Sequence, residues 1–307
     1  MISAHPTPHK DHLRLLLFFC CWLVLITEAS QAAMPAGNQS ADLSIAQEAL
    51  LYEDTDLAET ELRNLLKVET GNAPAHRLLG TVLLQRGLPD AAIAEFTTAL
   101  QIEPQDELTR EYLFSIYYNR AQDLLAIPQE AHKARVELEK AIAIRPDGIM
   151  SYYFLGTLNY HEKRDADCIA MLLKVADAIP EKLRPNLQTM LYSCAFNLLN
   201  QHRANDAKDV LPYFSSLPQV TTNELLLTAT LALEIGDFAK SIELYDRVLC
   251  KEPRHALALH NRGIAQQRLD ELRRKEAAIA LLQQQNPESP RPENLSKPLV
   301  TPATSAP

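Results

Sequence analysis

The chain has 307 residues, of which 47% are hydrophobic and 22% are charged, and its formal net charge is −9. An acidic balance without clustered Lys and Arg argues against a nucleic-acid partner. Only eight glycines are present, well below the usual share of about 7%. The composition therefore disfavours a β-rich or loop-rich fold and leaves an α-helical one.

The first segment, residues 1–32, is typical of a secretory signal peptide. Lys10 and Arg14 precede an uninterrupted apolar run from Leu15 to Ile26, and a plausible cleavage site follows Ala32. Twelve helical residues span roughly 18 Å, less than the ~30 Å hydrocarbon core of a bilayer. We expect an exported chain, periplasmic or secreted, with an uncleaved N-terminal anchor as the alternative.

A flexible lead over residues 33–38 comes next, and repeats follow it. The repeat pattern is clearest from Asn72 to Pro104, where two amphipathic helical patterns meet at a turn over residues 86–90. Small residues, Gly80 and Ala92, fall where two helices must cross closely, and Pro104 ends the second helix. One such hairpin cannot bury its own apolar face, so copies beside it are required.

The copies occur at a nearly constant interval. Gly80, Ala92 and Pro104 follow one another at two equal steps along the sequence. The same step recurs in three later triplets: Gly156, Cys168 and Pro180, then Ala229, Ser241 and Pro253, then Gly263, Lys275 and Pro287, although Lys275 is not a small residue. The last triplet predicts a turn between Gly263 and Lys275. The prolines that close successive units are Pro104, Pro146, Pro180, Pro218, Pro253 and Pro287. Their separation, close to the length of a helix–turn–helix unit and longer at two places, indicates a repeat architecture.

This pattern resembles the tetratricopeptide repeat family. The residues that carry the resemblance best are Leu79, Gly80, Leu83, Ala92, Phe96, Ala99 and Pro104. The resemblance implies an all-α fold, an α-α solenoid with a right-handed superhelix, built from about seven helix–turn–helix repeats.

Seven units are predicted between residues 39 and 288: 39–72, 73–106, 107–148, 149–187, 188–221, 222–255 and 256–288. About eight extra residues lie between Tyr117 and Ala134 in the third unit, and about five between Pro180 and Met190. The last unit is polar in its second half, as expected of a capping repeat. The Pro- and Ser-rich tail, residues 289–307, is expected to be disordered.

Motifs for catalysis or metal binding are missing from the sequence. It contains no phosphate-binding Gly-rich loop, no His-Glu-x-x-His and no Cys-x-x-Cys. His161 lies at an inter-helix turn, and His255 and His260 are five residues apart, a poor spacing for ligation from one helix face. We therefore predict no catalytic, cofactor-binding or metal-binding residues, and not an enzyme.

Three cysteines, Cys168, Cys194 and Cys250, follow the N-terminal segment, and all fall in helical patterns. The favoured interpretation is that they are small buried hydrophobic residues. One disulfide among them is the alternative.

With no catalytic or metal-binding motif in the sequence, the function we expect is binding of a partner at the protein surface. In the tetratricopeptide repeat family the first helix of each unit lines the concave face, so the resemblance implies a partner-binding groove. The predicted groove residues are Arg77, Thr81, Gln85, Tyr118, Asn119, Tyr153, Thr157, Tyr160, His161, Tyr192, Phe196 and Asn200. Tyrosine combines a large apolar body with a polar tip, which suits recognition. The alternative is that these tyrosines fill gaps between helices.

The sequence thus predicts a non-enzymatic scaffold or assembly factor that binds a protein or an extended peptide. The alternatives are an exported carrier of a small ligand, such as a glycan or lipid, and a regulatory subunit of a secretion or envelope complex. An enzyme would bring ionisable groups together in one pocket, whereas a ligand carrier would enclose an apolar cavity.

Overall fold

The computed structural model describes residues 41–285. Within that range the chain forms thirteen α-helices and two short 3₁₀ helices, with no β-strand. The prediction of an all-α repeat fold is confirmed. The predicted signal peptide, flexible lead and Pro-rich tail lie outside the described residues. The chain divides after Gln105 into two compact units.

From residue 41 onward, the first unit consists of two helical hairpins joined by short turns. Its helices are α1 (Ala41–Leu51), α2 (Thr55–Val68), α3 (Ala73–Gln85) and α4 (Pro89–Ile102). The Asp54 carboxylate accepts a hydrogen bond from the backbone N–H of Leu57 at 3.0 Å, and the Asn72 side chain accepts one from Ala75 at the same distance. These side chains cap α2 and α3 by satisfying N–H groups that the helix itself cannot.

The second hairpin of this unit packs as the small-residue pattern predicts. A Cβ added at Gly80 on α3 would lie 2.7 Å from the ring of Phe96 on α4. Phe96 and Ala92 are both completely buried. The glycine is required here because the aromatic ring occupies the space where any other side chain would begin.

The second unit begins at Asp106 and contains nine α-helices among the described residues. They are α5 (Glu107–Leu125), α6 (Ala131–Ile144), α7 (Ile149–His161), α8 (Asp165–Leu173), α9 (Arg184–Asn200), α10 (Val210–Ser216), α11 (Thr222–Ile235), α12 (Phe238–Lys251) and α13 (Ala256–Gln285). The 3₁₀ helices cover Glu181–Leu183 and Ala204–Ala207.

Both predicted insertions alter helices in this unit. The first lengthens α5 to 19 residues. The second separates α8, only nine residues long, from α9. Pro185 lies in the first turn of α9, where its missing N–H breaks no helical hydrogen bond. The partner of α9 is also broken, because a 3₁₀ turn precedes the seven-residue α10.

The last predicted hairpin is not formed. A turn was expected between Gly263 and Lys275, but residues 256–285 form one continuous 30-residue helix, α13. Neither proline nor glycine occurs between Ile264 and Gln285, and Leu, Glu, Arg, Lys, Ala and Gln, all strong helix formers, dominate the segment. Nothing local therefore ends the helix, and the described part of the chain has six hairpins followed by a single helix.

Most of the turns within the described hairpins share one backbone feature. Residues with positive φ occur in five of them: Glu53 (60°), Gly87 (73°), Lys163 (58°), His202 (58°) and Gly236 (90°). Glycine adopts this left-handed conformation without strain, whereas residues with a Cβ are strained in it. The turns at Glu53, Lys163 and His202 are therefore more strained than the turns at Gly87 and Gly236.

The main core of the second unit lies around α7, α8 and α9. It buries Leu172 of α8 together with Leu187, Leu191 and Leu198 of α9, all with 0% exposure. A further cluster, centred on Leu244 and Val248 of α12, packs α11, α12 and the start of α13. The irregular middle of the unit is therefore well packed despite its departures from the repeat pattern.

Candidate partner-binding surface

The three predicted groove residues in the first unit all lie on α3. Thr81 is only 5% exposed, and its hydroxyl donates to the backbone carbonyl of Arg77 at 3.1 Å. Gln85 is exposed at the end of the helix and Arg77 is half-buried. The prediction for Thr81 needs correction, because a side chain this deeply packed has almost no surface to offer a partner.

On α5, Tyr118 takes part in an aromatic chain that joins two helices. Its ring stacks on Phe114 with centroids 5.5 Å apart and lies 6.1 Å from the ring of Phe154 on α7. The side-chain amide of Gln122 donates to its hydroxyl at 3.1 Å. Burial raises the pKa of Tyr118 above its usual value, since the ionised form would lose hydration. Asn119, the next predicted residue, is half-buried.

On α7 the predicted residues divide between core and surface. Tyr153 is 7% exposed and belongs to the core cluster that includes Leu187 and Leu191 of α9. The groove prediction for Tyr153 is therefore replaced by the alternative, a ring that fills a gap between helices. The hydroxyl of Thr157, which is half-buried, donates to the Tyr153 carbonyl at 2.9 Å.

The end of α7 carries the more accessible pair. The rings of Tyr160 and His161 meet edge to face, with centroids 5.5 Å apart. Tyr160 is half-buried against the core, whereas His161 is exposed. His161 is therefore open to solvent at the end of the helix, whereas the Tyr160 ring packs against the core.

On α9, Tyr192 and Phe196 form the most nearly parallel aromatic pair of the predicted groove. Their rings are stacked, with centroids 6.2 Å apart and an angle of 7° between the planes. Phe196 is 44% exposed although it is a large apolar side chain. Asn200 is exposed one turn further along the helix. An exposed ring held flat by a second ring is well suited to take an apolar group of a partner.

Two aromatic residues that contact Tyr118, Phe114 and Phe154, are not identified by sequence reasoning. Phe114 lies one repeat length after Gly80, the place where the pattern calls for a small residue. That substitution was a usable signal, because a large ring at a small-residue position must be accommodated elsewhere. Here a Cβ added at Gly148 would lie 3.0 Å from the Phe114 ring.

The three cysteines of the described range are free thiols. Cys168 and Cys194 are completely buried, as predicted, whereas Cys250 is exposed, against the prediction. A hydrogen bond with Cys168, together with burial, raises the pKa of the Cys194 thiol. Since the thiolate is the reactive form of cysteine, this buried pair is not poised for nucleophilic chemistry.

An open cleft of about 650 Å³ lies between α5 and α6. Its lining residues are Arg120, Asp123, Leu124, His132, Lys133, Val136 and Glu137. Two of the charged groups pair with neighbours on or next to α6, Lys133 with Glu130 at 3.3 Å and Glu137 with Lys140 at 2.8 Å. The cleft is open to solvent, unlike the closed cavity that a lipid carrier requires.

Metal-binding clusters and membrane-crossing helices are both missing from the described range. Among residues 41–285, no three or more His, Cys, Asp and Glu side chains are grouped so that they could hold a metal ion. No helix in the same range is both long and apolar enough to cross a membrane.

Comparison with known sequences identifies the repeat near both ends of the described chain. A sequence profile of the tetratricopeptide repeat matches residues 43–107 and 226–290. No curated protein matches the chain.

Solved structures of similar fold share little sequence with it. The type IV pilus biogenesis factor PilW is 18% identical, with 73% of this chain and 99% of that chain covered and a TM-score of 0.29. YrrB, described as a tetratricopeptide repeat protein with an unusual peptide-binding site, is 15% identical over 66% of this chain and 97% of that chain, with a TM-score of 0.29. A tetratricopeptide repeat protein from Parabacteroides merdae is 15% identical over 73% and 97%, with a TM-score of 0.31. Values this low assign no function.

Proposed function

The chain belongs to the tetratricopeptide repeat family, and from this premise we propose that it is a non-enzymatic scaffold that binds a polypeptide. The binding surface is formed by the first helices of the irregular central repeats, α5, α7 and α9. We call it the aromatic face and define it by Tyr118, Asn119, Thr157, Tyr160, His161, Tyr192, Phe196 and Asn200.

The observation that carries the proposal is the stacked pair of Tyr192 and Phe196. A ring that is 44% exposed leaves apolar surface in water, which costs free energy that a partner would recover on binding. Stacking on Tyr192 fixes the ring, so little side-chain freedom is lost when a partner binds. Exposed aromatic side chains on a rigid element are the usual anchors of protein interfaces.

The polar members of the aromatic face suit a peptide backbone. Asn119 and Asn200 each carry a donor and an acceptor, and His161 adds ring nitrogens. Side chains of this kind can bond the N–H and C=O groups of an extended peptide while the rings take its apolar side chains. We infer that the partner is an extended segment with apolar or aromatic residues, and that neither nucleic acid nor a cofactor is involved.

We also propose that the protein works outside the cytoplasm, in the periplasm or beyond it. The support is the N-terminal pattern of basic residues, a twelve-residue apolar run and a cleavage site. An exported scaffold would assemble or stabilise other exported polypeptides.

The proposal is tested by comparing exported proteins captured by three forms of the chain. The wild type is compared with Tyr192→Ala/Phe196→Ala and with a control, Ile127→Ala/Val136→Ala, which truncates two other exposed side chains of the same unit, 47% and 51% exposed. We expect the wild type and the control to capture the same partner, and the aromatic variant to lose it while keeping its thermal stability. A folded aromatic variant that retains the partner would refute the proposed face.

A further inference from the structure

Two of the three cysteines in residues 41–285 meet where α8 packs on α9. Asn197 on α9 donates to the Asp165 carboxylate on α8 at 3.4 Å. Three residues further along α8 is Cys168, and three residues back along α9 is Cys194. Three residues make nearly one helical turn, so the two helices run in opposite directions here and bring both thiols to the same level. The two thiols form a hydrogen bond with each other.

The surroundings hold this thiol pair in place. Cys168 and Cys194 are both completely buried, and they belong to the core cluster that also contains Leu172 of α8 and Leu191 of α9. Side chains in such a core are packed at the density of an organic crystal and have little room to turn away. The two sulfur atoms are therefore kept next to each other.

Packing alone does not require cysteine at both of these places. At the preceding junction between units, Ala134 on α6 lies one repeat length before Cys168. Leu155 on α7 directly precedes the small residue of its helix, as Cys194 does on α9. Ala134 and Leu155 are both buried in one apolar cluster. An alanine and a leucine thus suffice at an equivalent junction, whereas here both residues are cysteine.

We propose that Cys168 and Cys194 form a disulfide bond in the exported protein, an inference that rests on the proposed location outside the cytoplasm. Disulfides form and persist in oxidising compartments of this kind. The oxidant is a thiol oxidoreductase that carries a reactive disulfide. One cysteine thiolate attacks that disulfide and displaces one of its sulfurs, and the other cysteine thiolate then displaces the second. The two cysteines lose two electrons and two protons, which convert the disulfide of the oxidant into two thiols.

The bond forms while the chain folds, before α9 closes over α8. In the folded, reduced protein both thiols are shielded from solvent. Their hydrogen bond, together with burial, holds the pKa of the Cys194 thiol above its usual range, which suppresses the reactive thiolate. Cys250 lies on α12 and is exposed, so it remains a free thiol.

The bond ties α8 to α9 across the second insertion. It closes a loop over residues 169–193, and closing a loop removes conformational freedom from the unfolded chain. Cys194 also lies between Tyr192 and Phe196 on α9. The cross-link therefore secures the helix that presents the stacked pair of the aromatic face.

The pairing is tested by refolding, which does not depend on where the protein works. The chain, in the form that the expressing cell produces, is unfolded and reduced, then refolded in a mixture of reduced and oxidised glutathione. Peptide mass mapping without reductant identifies the linked cysteines. We expect Cys168 linked to Cys194, and a melting temperature about 5–15 °C above that of the same protein kept reduced.

Two variants accompany the wild type. Cys250→Ala is the matched control and should form the same bond with the same shift in melting temperature. Cys168→Ala restores the alanine that Ala134 provides at the equivalent place, so it should fold, keep Cys194 free and melt at one temperature with or without reductant. A refolded wild type in which Cys168 and Cys194 both react with an alkylating reagent in denaturant would overturn the proposal. So would a bond from either residue to Cys250.

The same mapping on chain recovered from living cells separates the bond from the export on which it rests. Before lysis, the cells are treated with a maleimide that does not cross the cytoplasmic membrane. Exposed Cys250 should be labelled, which reports export, and Cys168 should be linked to Cys194. A labelled Cys250 with two free thiols at 168 and 194 would overturn the disulfide in the exported protein. An unlabelled Cys250 would contradict the export instead, and the refolding result would still decide the pairing.

Discussion

Two regions one repeat apart solve the same packing problem in opposite ways. In the first unit, Gly80 on α3 leaves room for Phe96 on the following helix. In the second unit the residue one repeat length later is Phe114, and the space for its ring is provided by Gly148, in the turn before α7. The ring of Phe114 then stacks on Tyr118 and lies 5.3 Å from the guanidinium carbon of Arg145.

The difference shows where the chain departs from the regular packing of its repeats. Where the repeat pattern is kept, large side chains such as Phe96 fill the contact between paired helices. Where it is broken, rings lie on the first helices and part of their surface faces solvent. The repeat profile matches residues 43–107 and 226–290, and the aromatic face lies between these segments. Four predictions test this contrast and the helix packing on either side of it.

The largest effect is expected from truncating the buried ring of the regular region. Phe96→Ala should lower the free energy of unfolding by about 3–5 kcal/mol, because it removes a completely buried ring and leaves a cavity. Phe196→Ala, in the aromatic face, should change it by less than about 1 kcal/mol, since the ring is 44% exposed. Urea unfolding of both variants measures the contrast, and equal losses would show that Phe196 is a packing residue.

A smaller effect is expected from adding a methyl group to glycine. Gly80→Ala should destabilise the protein by about 1–3 kcal/mol, because the new Cβ would meet the Phe96 ring at 2.7 Å. The matched control is Gly263→Ala in α13, where a Cβ meets nothing within 4 Å. That change should stabilise by about 0.5–1 kcal/mol through helix propensity. Thermal melts of the two variants should shift in opposite directions.

The buried tyrosine of α12 predicts a pH dependence. The Tyr245 hydroxyl lies 2.9 Å from the Thr230 hydroxyl and accepts from Asn261 at 3.0 Å. Burial raises the pKa of Tyr245 in the folded state above its ordinary value of about 10. The unfolded chain therefore releases this proton first, so stability is fully present below about pH 10 and declines as pH rises through the folded pKa.

Tyr245→Phe isolates this contribution. The variant should be less stable at pH 8, by about 1 kcal/mol for the lost hydrogen bonds, but should lose less of its stability between pH 9 and 11.5. Denaturant unfolding across that range measures the difference. Parallel curves for the two proteins would show that Tyr245 ionises equally in both states.

The smallest effect concerns the turns. Lys163 in the α7–α8 turn has φ 58°, whereas the corresponding turn of the first unit uses Gly87 at 73°. Left-handed backbone costs a side chain about 1–2 kcal/mol, partly offset by the extra freedom of an unfolded glycine. Lys163→Gly should therefore raise stability by about 0.5 kcal/mol, and Gly87→Lys should lower it by a similar or larger amount. Melting temperatures that move the same way would contradict this interpretation.

The repeat register was predictable because it depends on local patterns. The close approach at Gly80 follows from small residues and a ring at fixed spacing. The hairpin predicted within Asn72–Pro104 is confirmed, with helices at Ala73–Gln85 and Pro89–Ile102. The missing turn in α13 was also predictable in principle, since its residues favour helix and none after Gly263 breaks it. The prediction of a turn gave more weight to the repeat spacing of Gly263 and Lys275 than to the high helix propensity of the residues between them.

The site was less predictable because burial depends on neighbouring helices. Tyr153 and Tyr192 are both tyrosines on the first helices of neighbouring units, yet Tyr153 is buried in the core around α9 and Tyr192 supports an exposed ring. An insertion precedes α9, and a repeat pattern contains no information on the path of an insertion. The structure was therefore needed to distinguish the accessible tyrosines from the buried ones.

The claim that binding belongs to the irregular centre is tested most directly by site-specific photo-crosslinking. A photo-reactive phenylalanine analogue is placed at Phe196, or at exposed Gln85 on α3 as the control, in the chain exported by living cells. We predict a covalent adduct with one defined polypeptide from position 196 and none from position 85. An adduct from position 85 alone would place the partner on the regular repeats and contradict the account.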